Sequence, residues 1–246
     1  PSTFASYGEY RRLHARLRAR GRVLQSIPDL NTRYDIFFFA LESMGIGRLP
    51  LKVSLLAAAD PRADRWLYRV FGPLARLAND FGKGAFRWQH LPKPFEVYAD
   101  GVDLVVFEEF EAGRAALHIA DELERRDLIA SEDYRRRFRI DMEKRFTPRV
   151  WHRNLEEATV VACPDASVVG KSFAEVARAR GIHPVDAFLD LVVEHGRDLR
   201  WRTLIANDRT EQLDTLINTP GVTVGFSDAG AHLRNMAFYD VGLHLL

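Results

Sequence analysis

Val222-Thr223-Val224-Gly225-Phe226-Ser227-Asp228-Ala229-Gly230-Ala231-His232 is the stretch on which the reading of this chain turns. Three β-branched residues in a row predict a strand over Val222–Phe226. A carboxylate, Asp228, follows it among small residues that leave room for a ligand to approach. At the C-terminal end of a parallel strand such a group has the chemistry of a metal ligand or a general base. The plainer alternative is an aspartate that caps the turn. His232, four residues on, is either a metal- or substrate-binding imidazole or a turn or core histidine.

Upstream, strand and helix patterns alternate. Arg22–Ile27, Leu51–Leu56, Phe86–Gln89, Thr159–Cys163 and Leu199–Ala206 read as further strands, apolar on both faces. Gly8–Arg20, Asn31–Met44, Arg62–Phe81 and Arg209–Asn218 read as helices. Ser172-Phe173-Ala174-Glu175 is a capping box that starts a helix ending at Gly181. Pro184 opens the next helix, and Gly196 ends it. Two charged helices, Phe107–Ile129 and Ser131–Arg145, interrupt the alternation and read as an insertion at about 103–150. Repeated strand–helix units point to a (β/α)8 barrel or a doubly wound sheet. No glycine-rich loop follows the first strand, so a dinucleotide or P-loop site has no support.

Composition sets the bounds. The 246 residues suit one large domain, are 47% hydrophobic and 28% charged, and carry 35 basic against 34 acidic side chains, a net charge of +1. That balance gives no electrostatic reason to expect nucleic acid or an anionic membrane as partner. No apolar run is long enough to span a bilayer. One cysteine, Cys163, excludes an internal disulfide and any multi-cysteine metal site, and a reducing cytoplasm is the expected compartment. The chain opens Pro1-Ser2-Thr3 and closes inside the apolar run Val241–Leu246, which reads as an internal piece of a longer protein.

The Gly225-Phe226-Ser227-Asp228-Ala229-Gly230-Ala231-His232 run resembles the last barrel strand of amidohydrolase-superfamily enzymes, and more narrowly the N-acyl-D-amino-acid deacylase (D-aminoacylase) family. Two other stretches agree, in the same order along most of the chain. Gly170–Ala177 with Pro184–Leu191 resembles that family's paired-helix segment, and Phe86-Arg87-Trp88-Gln89-His90-Leu91-Pro92 a middle strand of a subgroup. The resemblance implies a metal-dependent hydrolase on a distorted (β/α)8 TIM barrel joined to a small β-sandwich. Residues 1–246 would then be a single incomplete barrel domain, holding middle and later strands, with the first strands and the sandwich outside it. The implied reaction is cleavage of a linear amide in an N-acyl-(D-)amino acid by a water activated on one or two Zn²⁺. Asp228 aligns with the aspartate that serves as general base and metal ligand.

Departures from the pattern are plain. The chain contains no His-x-His pair, which the family carries on its first strand, upstream of Pro1. Lys52-Val53-Ser54-Leu55 lacks the histidine that the family often places there, and the strand at Val23–Ser26 offers only Gln25, a weak oxygen donor. His90 is the remaining metal-ligand candidate, or else a structural histidine. By itself this stretch is expected to be inactive.

Two strand ends remain. Asn207-Asp208-Arg209 follows the Leu199–Ala206 strand. There Asn207 would orient substrate and Arg209 would hold a substrate carboxylate, unless Asn207 or Asp208 simply caps the next helix, the favoured reading. Cys163 has no basic neighbour and reads as an inert thiol. Two alternatives accompany the deacylase reading: a hydantoinase-like hydrolase of cyclic amides, and a non-catalytic barrel relative used for binding. A small-molecule amide is the expected partner, with no nucleic acid and no membrane, and a homo-oligomer is compatible with the sequence.

Overall fold

The structure, a computed structural model, describes residues 6–27, 35–144, 149–225, 233–236, 238 and 240–243. Asp228 and His232 lie outside the described residues. The elements in chain order are α1 (Tyr7–Ala19), β1 (Val23–Ser26), α2 (Asp35–Ser43), β2 (Lys52–Ala58), α3 (Tyr68–Arg76), β3 (Ala85–His90), β4 (Phe95–Asp100), α4 (Glu111–Leu117), α5 (Glu122–Ala130), α6 (Glu132–Glu143), β5 (Thr159–Ala162), α7 (Phe173–Arg180), α8 (Pro184–His195), β6 (Arg200–Ala206), α9 (Thr210–Ile217) and β7 (Val222–Val224). The chain is of the α/β class, with a parallel sheet and helices, and barrel closure is not seen among the described residues. No helix among them is long and apolar enough to cross a membrane. The contacts divide it into two compact units: the described parts of Pro1–Phe95, Ala206–Ser227 and Phe238–Leu246, and those of Glu96–Ile205 and Asp228–Ala237.

The first unit is built on a four-stranded sheet in the order β1-β2-β3-β7, with every neighbouring pair parallel. Side chains alternate across a strand, so register sorts them into faces. Leu24, Val53 and Phe86 line up, as do Leu55, Trp88 and Val222. This apolar face packs on Ile36, Phe39 and Ala40 of α2 and on Phe71, Leu74 and Ala75 of α3. The buried Trp88 indole donates to the Phe71 carbonyl at 2.9 Å, which satisfies its one polar atom. The other face is polar. Gln25, Ser54 and Arg87 are in register on it, and Gln89 and Thr223 continue it. Gln89 donates to Ser54 Oγ at 2.7 Å and accepts from Gln25 at 3.4 Å. The expectation of strands apolar on both faces is therefore corrected for β1–β3. Gln25, Arg87 and Thr223 are exposed on a face that parallel sheets normally cover.

The helix read over 62–81 is shorter than its pattern. Residues 62–67 form turns, α3 starts at Tyr68, and Leu77–Phe81 is a π-helix. The Arg62 and Arg65 side chains pair with Asp208, and Arg65 also reaches Asp60, so tertiary ion pairs hold this segment out of the helix.

In the second unit β6 lies between β4 and β5, and β5 runs antiparallel to β6. Thr159–Cys163 is thus a strand as expected, but not a parallel one. Strand β4, which follows Pro92 and Pro94, is an addition to the expected strands. The insertion forms three helices rather than two, because Asp121 accepts from the Glu124 N–H and starts α5 afresh, as Ser131 does for α6. α7 and α8 are built as expected, with the Ser172–Glu175 box, a left-handed Gly181 and Pro184 in the first turn. An aromatic core joins them: Phe188 sits 5.2 Å from Phe173 and 5.5 Å from Trp201, ring centre to ring centre.

Glu109 is buried in this unit. One carboxylate oxygen accepts from the Val150 and Trp151 N–H groups at 2.8 and 3.2 Å, and Arg153 stands 4.0 Å from the other. Burial pushes its carboxyl up to about 7, against the pull of those N–H groups and of Arg153. The unfolded chain's glutamate titrates near 4.5, so between these values the fold holds a proton that the unfolded chain does not. Stability from this group is complete below about pH 4.5 and is lost as pH rises through about 7. Glu109→Gln, neutral throughout, is expected to flatten that fall in a series of urea midpoints. An undiminished fall in the variant would contradict the assignment.

Candidate functional site

In open and closed parallel α/β sheets the reactive groups gather where strands end. In the first unit that edge carries Ala58 at the end of β2 and Asp60 after it, His90 at the end of β3 and Gly225 after β7. His90 is in register with Val224, and the Gly225 N–H donates to the His90 carbonyl at 3.3 Å. A side chain on Gly225 would meet the Gln89 side chain at 2.9 Å, so glycine allows this close approach. From Gly225 the sequence runs on to Asp228.

His90 is fully buried. A bulge between Leu56 and Ala58 breaks the β2–β3 register and sets the Ala58 carbonyl 2.7 Å from His90 Nδ1. A carbonyl only accepts, so Nδ1 carries the proton and Nε2 the lone pair. Nε2 is buried and has no hydrogen-bond partner among the described residues. Burial holds the imidazole below its ordinary pKa, partly opposed by the bond to Ala58, and so keeps it neutral. A backbone carbonyl on one nitrogen and a free lone pair on the other is the arrangement of a metal-ligating histidine. Among the described residues no group of three or more His, Cys, Asp or Glu side chains is placed to hold a metal ion.

Asn207 and Arg209 are placed differently from expectation. Asn207 is buried with φ +66°, in the left-handed region that asparagine tolerates. Its side-chain oxygen accepts from the Asp60 N–H at 2.9 Å, and its amide donates to the carbonyls of Leu91 and Lys93 at 2.9 and 3.2 Å. Its own N–H donates to the Asp60 carbonyl at 2.9 Å. Asn207 is thus a clasp that ties the chain after β2 to the chain after β3. Arg209 donates from Nε and Nη2 to the two oxygens of the fully buried Asp60, at 2.7 and 2.5 Å. That two-point contact is the one proposed for a substrate carboxylate, and Asp60 fills it. The Asp60 carboxylate holds the Arg209 guanidinium above its ordinary pKa. The cap reading also fails, since the residue preceding α9 is Arg209 and no side chain caps that helix. Asp208 instead pairs with Arg65 through two bonds of 2.5 and 2.7 Å, and Arg65 keeps its carboxyl below the usual range.

Sequence reasoning missed Asp60, whose partner Arg209 lies 149 residues away, and the Ala58 carbonyl, which only the bulge brings to His90. Gln25, weighed as an oxygen donor, uses its amide on Gln89. Cys163, half-buried, has its thiol pushed up by burial, as suits an inert thiol.

No protein-family model matches this chain, and no solved structure does. It is similar to proteins of Mycobacterium tuberculosis and Mycobacterium bovis that bear the name uncharacterized protein, each 49% identical over 250 residues. Those alignments take in the whole of this chain but 41% of each relative, so the chain spans about two-fifths of the length of the curated relatives it matches.

Proposed function

We propose that the chain is part of the catalytic barrel of a metal-dependent hydrolase that cleaves the linear amide of N-acyl-amino acids, of D configuration. The observation that carries this reading is His90: a neutral, buried imidazole at a parallel strand's C-terminal end, its tautomer fixed by Ala58 and its Nε2 lone pair unused among the described residues. It agrees with the Gly225–His232 run, whose first residue, Gly225, follows the neighbouring strand β7. The order β1-β2-β3-β7, helices on one face and Gln25, Ser54 and Gln89 on the other, suits the wall of a (β/α)8 barrel whose interior is polar near its site.

A Zn²⁺ held by His90 and Asp228 would supply Lewis acidity and bring the pKa of water toward neutrality. The chain does the rest. His90 offers Nε2 in a fixed direction, because Nδ1 is anchored to Ala58. Asp228 takes the proton of the attacking water on its carboxylate and returns it to the departing amine nitrogen. Asn207 ties the chain that follows His90 to the chain after β2, where Arg209 anchors Asp60.

His90→Asn tests this directly. Asparagine keeps a donor for the Ala58 carbonyl and removes the distal lone pair. Metal analysis of the intact native protein is expected to show bound zinc, with affinity in the variant at least ~10-fold weaker, the scale of losing even an indirect support of a metal site. Equal zinc affinity in both proteins, with the variant folded by circular dichroism, would remove His90 from the ligand set.

A further inference from the structure

A groove of about 770 Å³ lies at the opposite, N-terminal edge of the same parallel sheet. Its volume is in the range of small-molecule pockets. Lys52 of β2, Arg87 of β3 and Arg76 at the end of α3 line it. All three are exposed, and none has an ion pair or side-chain hydrogen bond among the described residues. Elsewhere in this unit Arg18 and Arg48 pair with Glu42, Arg65 with Asp208, and Arg209 with Asp60. Asp80 is the one carboxylate among the groove's residues, so three cations face one anion. Like charges gathered in one concavity repel each other and raise its potential, which attracts anions.

The backbones that carry two of these cations are tied together. Arg76 and Asp80 flank and belong to the π-helical segment Leu77–Phe81, a geometry found often at functional sites. Within it Asn79 accepts from the Phe86 N–H at 2.7 Å and donates to the Phe86 carbonyl at 2.9 Å. That reciprocal pair joins the helix end to β3 beside Arg87, so the two elements that carry Arg76 and Arg87 stay side by side. The small residues Ala75, Gly84, Ala85 and Gly221 also line the groove.

We infer that this groove binds a small phosphate-bearing molecule. Two guanidinium forks and one ammonium match an oxyanion with several charged oxygens, whereas a single carboxylate would engage only one fork. The inference stands apart from the amide-hydrolase reading, because no group at the strand C-terminal ends takes part in it.

Calorimetric titration of the intact protein with inorganic pyrophosphate tests it, at ionic strength held constant with sodium chloride. Saturable binding is expected. Arg87→Gln and Arg76→Gln should each weaken it at least ~10-fold, the scale of one charge-assisted contact, and Lys52→Gln should weaken it too. Arg69→Gln, at an arginine stacked 4.0 Å over Trp66 and outside the groove, should leave it unchanged. Binding matched by chloride alone, or unaltered in the groove variants, would overturn the proposal. A short single-stranded oligonucleotide that displaces pyrophosphate with higher affinity would overturn its small-molecule part.

Discussion

Asp228→Asn in the intact protein is expected to lower the turnover of an N-acyl-D-amino acid by about 10²–10⁴, the usual worth of a positioned acid–base group. Asparagine keeps the size and polarity of the side chain and loses the charge that accepts a proton. The loss should therefore fall on kcat, with KM little changed. The acidic limb of the pH–rate profile, which reports a base that must be ionised, should also disappear from the residual rate. Unchanged kcat would show that Asp228 merely shapes the turn. In the sequence Asp228 stands three residues after Gly225, whose N–H bonds to the His90 carbonyl.

Asp60→Ala carries the largest expected effect on stability. Asp60 is completely buried, while the side chains of its partners Arg209 and Arg65 are 35% and 32% exposed. Removing the carboxylate strips Arg209 of its counter-ion and leaves it beside Arg65, which keeps Asp208. Breaking a buried pair from one side costs about 3 kcal/mol, at the low end of the usual range because water still reaches both arginines. For a chain of this size that lowers Tm by roughly 6–12 °C. Asp208→Ala, which removes the more exposed partner of Arg65, should cost about 1 kcal/mol or less. Chemical denaturation of the three proteins distinguishes the cases. Equal midpoints for the two variants would contradict the assignment of Asp60 as the buried centre of the cluster.

The legible parts of this chain are those whose signals are local. Ser172 and Glu175, Gly181 and Pro184 each fix backbone geometry within a few residues, and α7 and α8 follow from them. His90 could be set at a strand end because Phe86–Gln89 is a compact β-prone run before a proline. What the sequence withheld depends on distant partners. Asn207 and Arg209 looked like substrate-facing or capping residues, yet their partner Asp60 lies 147 and 149 residues away. No local spacing could reveal that pairing. The same cluster shortens the helix after Pro61, because Arg62 and Arg65 are drawn to Asp208. The tautomer of His90 depends on a bulge in a different strand. β4 escaped notice because Phe95–Asp100 is short and follows two prolines. At position 90, then, sequence set a histidine at a strand end, and structure shows the carbonyl that orients its ring.

The most direct measurement is a hydrolysis assay on the intact native protein, with metal removed and restored. Paired D and L N-acyl-amino acids, alongside hydantoins and lactams, would be followed by chiral analysis of the released amino acid. The proposed function predicts release from the D substrates, abolished by chelation and recovered with Zn²⁺. Turnover of the cyclic amides alone would contradict the linear-amide assignment. No turnover of any amide by the zinc-loaded protein would contradict the hydrolase reading as a whole.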